Sequence, residues 1–181
     1  LPSLLGPNSG VWGMNIFLTG KIGIGKSTAI REFLQSIDLS YGGFQTKIES
    51  NLVLLRDLIS DRTEVVARRN GLNWEIIKEG FEGLGKSAIE MALVKRDIII
   101  MDELGRFELD CKEFQKAVFS AINSDRSVLG VLKKESNPFL DRIRSLHEVV
   151  IMEVTEDNRE FIPELIEKNI RLQNSRTRAS E

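Results

Sequence analysis

One cysteine, one histidine, one tyrosine and four prolines are all that 181 residues hold of those types. A lone cysteine excludes an intrachain disulfide, and one Cys with one His excludes a structural zinc site built from such ligands. There is no surplus of charge either: 25 Lys and Arg stand against 27 Asp and Glu, a formal net charge of −2. A protein that coats a polyanion needs clustered excess Lys and Arg, so nucleic acid is not an expected partner. The longest wholly apolar runs, such as Ile98–Met101, are four residues, far below the ~20 that cross a bilayer as a helix. No membrane partner is expected. What remains is a soluble, cytoplasmic, globular protein, 41% hydrophobic and long enough to bury roughly 70% of its unfolded surface around one core.

Residues 1–13 hold two Pro, three Gly and no charge, and show no usable periodicity. They lack the basic start and long apolar stretch of a signal peptide, and are read as an N-terminal extension or vector-derived residue. From Met14 strands and helices alternate. Met14–Thr19 is a short apolar run, Ser27–Ser36 a helix, and 43–48 and 53–69 are strand-like with weak punctuation. Trp74, Ile77, Phe81, Leu84, Ala88 and Met91 recur in steps of three and four, predicting one long amphipathic helix. Asp97–Asp102 is a bounded apolar run of the kind buried on both faces. A helix through Phe114–Ile122, strands at 128–132 and 149–154, a short helix at 138–145 and a closing helix from about Asn158 complete the pattern, with Thr155 or Asp157 as its cap. The expected fold class is α/β: a three-layer arrangement of a mainly parallel sheet with helices on both faces. One domain is expected over 14–175, followed by a polar tail at 176–181.

Gly20-Lys21-Ile22-Gly23-Ile24-Gly25-Lys26-Ser27 matches the phosphate-loop pattern GxxxxGK[ST]. A loop that wraps a phosphate must point successive N–H groups inward, in conformations easiest for glycine. Lys26 then supplies an ammonium to the terminal phosphates, and Ser27 a hydroxyl to Mg²⁺. The strand before the loop and the helix opening at Ser27-Thr28 supply the required context. Residues Gly20–Thr28 are therefore the expected nucleotide-binding segment.

The pattern occurs a second time, at Gly80-Phe81-Glu82-Gly83-Leu84-Gly85-Lys86-Ser87. No strand run precedes it, its apolar residues continue a helical face, and Glu82 would put a carboxylate into an anion cradle. It is read as a coincidence on a helix.

Ile98-Ile99-Ile100-Met101 delivers Asp102 and Glu103 to a strand end. In a parallel sheet that edge lies beside the phosphate loop. Asp102 suits Mg²⁺, bound directly or through water, and Glu103 suits a base that polarises the attacking water.

Several blocks together are more specific than any one. The strand–loop–helix start, Gly43-Phe44-Gln45-Thr46, the run Asp102-Glu103-Leu104-Gly105-Arg106-Phe107-Glu108-Leu109 with Phe114, and Thr155-Glu156-Asp157-Asn158-Arg159 resemble, in order and rough spacing, the THEP1-type nucleoside-triphosphatases. The resemblance runs from Met14 to about Ile166. It implies slow Mg²⁺-dependent hydrolysis of nucleoside triphosphates on a fold similar to the RecA-like and nucleotide-kinase branches, with Asp102 as the metal-site carboxylate and Glu103 as catalytic base. The chain departs from the family in lacking a basic, glycine-containing block after Gly43–Thr46, and in carrying Arg106 and Phe107 where Lys and Met are usual. The middle third is therefore expected to present a different substrate surface.

The remaining candidates carry two readings each. Asn158 and Arg159 suit contacts to base or phosphates, or a helix start and a solvated Arg. Lys133-Lys134 is a charge pair for the triphosphate or a solvated pair. Arg68, Arg69 and Arg106 are alternatives for an arginine finger. His147 and Cys111 are read as structural. The function expected is hydrolysis of the β-γ phosphoanhydride of ATP, GTP or another triphosphate, with Lys26 and Glu103 catalytic, Ser27 and Asp102 at the metal, and Mg²⁺ as cofactor. A nucleotide or small-molecule kinase on the same loop, and a nucleotide-switched binding module, are the alternatives.

Overall fold

The computed structural model of the protein describes residues 13–178, with side chains as far as Ile170. Residues 1–12 and 179–181, which include most of the expected extension and the end of the tail, lie outside the described residues. β1 (Asn15–Thr19) leads through the glycine-rich loop into α1 (Lys26–Ser36). β2 (Tyr41–Glu49), β3 (Leu52–Asp57), β4 (Thr63–Asn70) and β5 (Asn73–Ile76) follow without an intervening helix. Then come α2 (Lys78–Gly80), a π turn (Phe81–Gly85) and α3 (Lys86–Lys95), one continuous helical rod. β6 (Ile98–Leu104), α4 (Lys112–Ile122), β7 (Ser127–Leu132), α5 (Pro138–Ser145), β8 (Val149–Glu153) and α6 (Ile162–Arg178) complete the chain.

The eight strands form one sheet in the order β5-β4-β3-β2-β6-β7-β1-β8. From β2 to β8 all neighbours run parallel; β2, β3, β4 and β5 pair antiparallel. The centre is buried on both faces because β1, β6 and β7 turn apolar side chains to both sides of the sheet. In β6, Ile98 and Ile100 pack with Ala29, Ile30 and Phe33 of α1 and Ile162, Ile166 and Ile170 of α6. Ile99 and Met101 pack on the opposite face with Phe81, Ala88, Phe114, Val118 and Phe139. The period-two alternation of a strand thus serves two helical layers at once. Among the described residues, no helix is long and apolar enough to cross a membrane.

Two expectations are corrected. The helix expected from Trp74 begins four residues later: Trp74 and Ile76 belong to β5, which pairs Asn73 with Asn70 across a tight turn at Gly71. Trp74 and Ile77 stand at helical spacing by accident. Met91 is also off the buried face, 38% exposed, while Ile89 and Ala92 are fully buried. The closing helix starts at Ile162 rather than Asn158, because the Asn158 side chain is spent on the preceding turn: Oδ1 accepts from the Thr155 N–H (2.8 Å) and Nδ2 donates to the Glu153 carbonyl (2.8 Å). That helix continues to Arg178, into the segment read as tail.

Candidate functional site

The two matches to the phosphate-loop pattern part company in their backbone. Gly20, Gly23 and Gly25 have φ of 144°, 77° and 109°, a region that L side chains rarely adopt. Gly80 and Gly85 have φ of −68° and −62°, ordinary helix. A Cβ at Gly23 or Gly25 would meet nothing within 4 Å, so the demand there is for conformation, not room. At Gly20 it would also lie 2.6 Å from the Val154 carbonyl oxygen. The second match is helical, as expected, although a strand, β5, stands before it.

The first loop curls over the C-terminal end of β1. Lys21 and Ile22 are solvent-exposed at its rim, and Thr28 is exposed at the first turn of α1. Lys26 is turned inward at 8% exposure, its Nζ donating to the carbonyls of Gly20 (3.0 Å) and Lys21 (2.7 Å). Burial pulls its ammonium below the ordinary lysine value, while Glu103 and Asp102 favour the charge. The Ile24 N–H closes the turn onto the Lys21 carbonyl (3.3 Å).

Seventy-five residues along the chain, Asp102 meets this loop: Ser27 Oγ donates to its Oδ1 at 3.0 Å. Asp102 is 5% exposed. Burial pushes its carboxyl up to about 6, against hydrogen bonds from Ser27 and Gln45 and the charge of Lys26, while Glu103 adds to the rise. The next residue is aimed elsewhere. The β6–β7 ladder shifts register between Asp102 and Leu104, a bulge of the kind that re-aims a side chain. Glu103 opens into a small cleft of ≈ 70 Å³ with Thr46, Phe81, Phe107, Glu108 and Lys133 in its walls. Its carboxylate lies 3.5 Å from Lys133 Nζ.

The contribution of β2 had no role assigned from sequence. Thr46 Oγ1 accepts from the Glu103 N–H (3.2 Å) and donates to the Asp102 carbonyl (3.4 Å), so one hydroxyl clamps the backbone of both acids. The signal was there in Gly43–Thr46; what hid its meaning was that only the parallel β2–β6 pairing, Gln45 opposite Asp102, brings it across. Glu108 was missed because a carboxylate in a loop segment gives no sign that it is buried. It is 2% exposed, and its Oε2 accepts from the Gly105 N–H at 2.9 Å.

Other candidates fall away from this cluster. Arg68 and Arg69 lie on β4, five strands from β1, roughly 24 Å at ~4.8 Å per strand, so neither reaches its own loop. Arg106 is exposed with its guanidinium over the Phe107 ring at 5.6 Å. Asn158 and Arg159 follow β8 beside the loop; the amide of Asn158 is engaged as above, and Arg159 is exposed. Lys134 pairs with Glu153. His147 is at the surface beside Glu148. Cys111 is buried at the start of α4, its thiol pushed up to about 12 by burial first, a packing residue as expected.

An anion cradle, a buried lysine, a hydroxyl–carboxylate oxygen pair and a second carboxylate in an adjoining cleft can together hold a polyphosphate and activate a water beside it. Comparison with known proteins bears on the family and the fold. The profile of the family described as NTPase matches residues 15–167. A nucleoside-triphosphatase THEP1 of Thermotoga maritima is 30% identical over 156 residues, covering 81% of this chain and 89% of its own. That of Methanosarcina barkeri is 30% identical over 173 residues, covering 87% and 98%. The crystal structure of THEP1 from Aquifex aeolicus superposes with a TM-score of 0.75 at 23% identity, over 87% of this chain and 99% of that one, and so shares the fold.

Proposed function

The chain belongs to the NTPase family of THEP1-type nucleoside-triphosphatases, and on that premise we propose that it hydrolyses the β-γ phosphoanhydride of a nucleoside triphosphate, ATP or GTP among them, with Mg²⁺ as cofactor. The observation that carries the reading is the 3.0 Å contact between Ser27 Oγ and Asp102 Oδ1, which joins the loop to the acid-bearing strand.

The residues at that contact fit a hard divalent cation. Both offer oxygen, and Mg²⁺ takes oxygen ligands, usually one or two from protein with the rest from waters and phosphates. Asp102 is a buried carboxylate whose charge is disfavoured in the protein alone, as expected of a group that waits for a cation. Bound there by Ser27 and Asp102, Mg²⁺ would neutralise charge on the β- and γ-phosphate oxygens.

The rest is done by the chain. Backbone N–H groups from Gly20 to Ser27 wrap the phosphates, and Lys26 trades its two loop carbonyls for the β/γ oxygens. Glu103 accepts a proton from the attacking water as the water oxygen bonds to the γ-phosphorus. The bond from that phosphorus to the β-γ bridging oxygen breaks, and its electron pair leaves with the diphosphate. Thr46 holds the Glu103 backbone, so the base is positioned before substrate arrives.

Phosphate release from a panel of triphosphates with Mg²⁺ tests the reading. Lys26→Ala should remove turnover and weaken binding. Glu103→Gln should keep affinity within a few-fold and lose at least ~100-fold in rate, the low end of a general base's contribution. Asp102→Asn should also raise the Mg²⁺ concentration needed for half-maximal rate. Wild-type turnover in folded Lys26→Ala would sink the assignment of the loop, and a rate within threefold in Glu103→Gln that of the base.

A further inference from the structure

Sheet order sets what stands between the loop and the base. β7 lies between β1, which leads into the loop, and β6, which carries Asp102 and Glu103. With strands ~4.8 Å apart, β1 and β6 are separated by roughly 10 Å. A triphosphate seated on the loop and reaching toward Glu103 must end over that gap, and so over the C-terminal end of β7. The side chain there is Lys133, directly after Leu132. Its N–H donates to the Leu104 carbonyl at 3.0 Å, which ties its backbone to the β6 end. Its ammonium is 3.5 Å from the Glu103 carboxylate and 5.4 Å from the centre of the Phe107 ring. It is also among the charges felt by Lys26. Lys134, next along, is turned to Glu153 at the end of β8.

We propose that Lys133 is a further catalytic residue: the cation that this chain itself supplies to the γ-phosphoryl group in the transition state, held by Glu103 until the nucleotide arrives. The proposal rests on the reading of Lys26 and Glu103 above. As the water oxygen bonds to phosphorus and the bridging bond breaks toward the diphosphate, negative charge gathers on oxygens that face the β7 end. Lys133 meets it there, and in leaving Glu103 it frees that carboxylate to take the water's proton. The ion pair can be exchanged, because both partners keep about a third of their surface in solvent, 31% and 30%, where screening weakens the attraction. A cis cation also fits the absence of Arg68 and Arg69 from the loop. An arginine finger is worth ~10³–10⁵ in rate; a lysine, a single point charge without the planar fork, should contribute nearer the ~10²–10³ of one oxyanion donor.

The experiment uses the full chain with Lys133→Met, Lys133→Arg, Glu103→Gln and the surface control Lys86→Ala. It measures single-turnover ATP hydrolysis, and affinity for ADP with beryllium fluoride (ground-state mimic) and with aluminium fluoride (transition-state mimic). Lys133→Met should lose ~10²–10³-fold in rate, bind the beryllium complex within a few-fold of wild type, and lose at least about tenfold for the aluminium complex. Lys133→Arg should recover most of the rate, and Lys86→Ala should match wild type. A Lys133→Met rate within threefold of wild type, or equal losses for the two complexes, would overturn the proposal. Wild-type turnover in Glu103→Gln would overturn the base alone, because capture of the aluminium complex by Lys133 needs no base.

Discussion

Glu108 is the residue whose chemistry is least expected from its place in the chain. It follows Phe107 in a surface turn, yet it is 2% exposed and its carboxylate caps the Gly105 N–H. Burial pushes its carboxyl up to about 7, against the N–H groups of Gly105 and of Glu108 itself and the charge of Lys133; Glu103 adds to the rise. Between the ordinary glutamate value and about 7 the folded chain keeps a proton that the unfolded chain has released. Stability is therefore full below that window and falls as pH rises through it, by up to about 3 kcal/mol. Glu108→Gln removes the titration and keeps an acceptor for Gly105. In urea unfolding the variant should gain on wild type by at least about 1 kcal/mol between pH 5 and pH 8. A difference that stays flat with pH would show that Glu108 is ionised throughout.

At the scale of elements, β7 is a strand on which the site depends, and it has little freedom. A Cβ at Gly130 would lie 2.7 Å from Phe17 Cε1 and 2.8 Å from the Met101 carbonyl oxygen. Phe17 is fully buried in the core and Met101 O belongs to the neighbouring strand, so neither yields cheaply. Gly130→Ala should cost ~1–3 kcal/mol in denaturant unfolding, the usual range for overpacking. A loss below about 0.5 kcal/mol would mean that the sheet opens to admit a methyl. Elements also differ in how legible they were. Strands β1, β6 and β7 and helices α1, α4 and α5 follow from local apolar pattern, with Asn137 accepting from the Leu140 N–H as the cap of α5. Of the β3–β5 meander, 53–69 reads as strand-like without its division into β3 and β4, and β5 reads as helix. The β2–β3 turn rests on Ser50 (φ 54°), the β3–β4 connection holds Asp61 (φ 63°) and the β4–β5 turn Gly71 (φ 60°); the serine is the weakest turn signal of the three.

For the whole molecule, nucleotide binding is linked to folding. A ligand that binds only the folded chain stabilises it by RT ln(1 + [L]/Kd), about 2.7 kcal/mol at a hundredfold excess over Kd. For a chain of this size each kcal/mol moves Tm by ~2–4 °C, so a non-hydrolysable ATP analogue with Mg²⁺ should raise Tm by roughly 5–11 °C. Chelating the metal should remove much of that shift, and Lys26→Ala most of it. An unchanged shift in Lys26→Ala would place the nucleotide elsewhere than the Gly20–Ser27 loop.

The amino-acid order by itself determined whatever is encoded within one turn or one strand: the glycine spacing that permits positive φ at Gly20, Gly23 and Gly25, the lysine and serine that follow, the apolar run that ends in two acids, and the α/β alternation. Those signals are short-range and survive in a linear reading. Tertiary structure fixed the backbone of the two matches, with positive φ at Gly20, Gly23 and Gly25 and helical φ at Gly80 and Gly85. It also decided that β7 stands between β1 and β6, that Thr46 holds both acids, and that Lys133 meets Glu103. These pairings join residues 28 to 113 positions apart. They are set by strand order, which no local periodicity encodes.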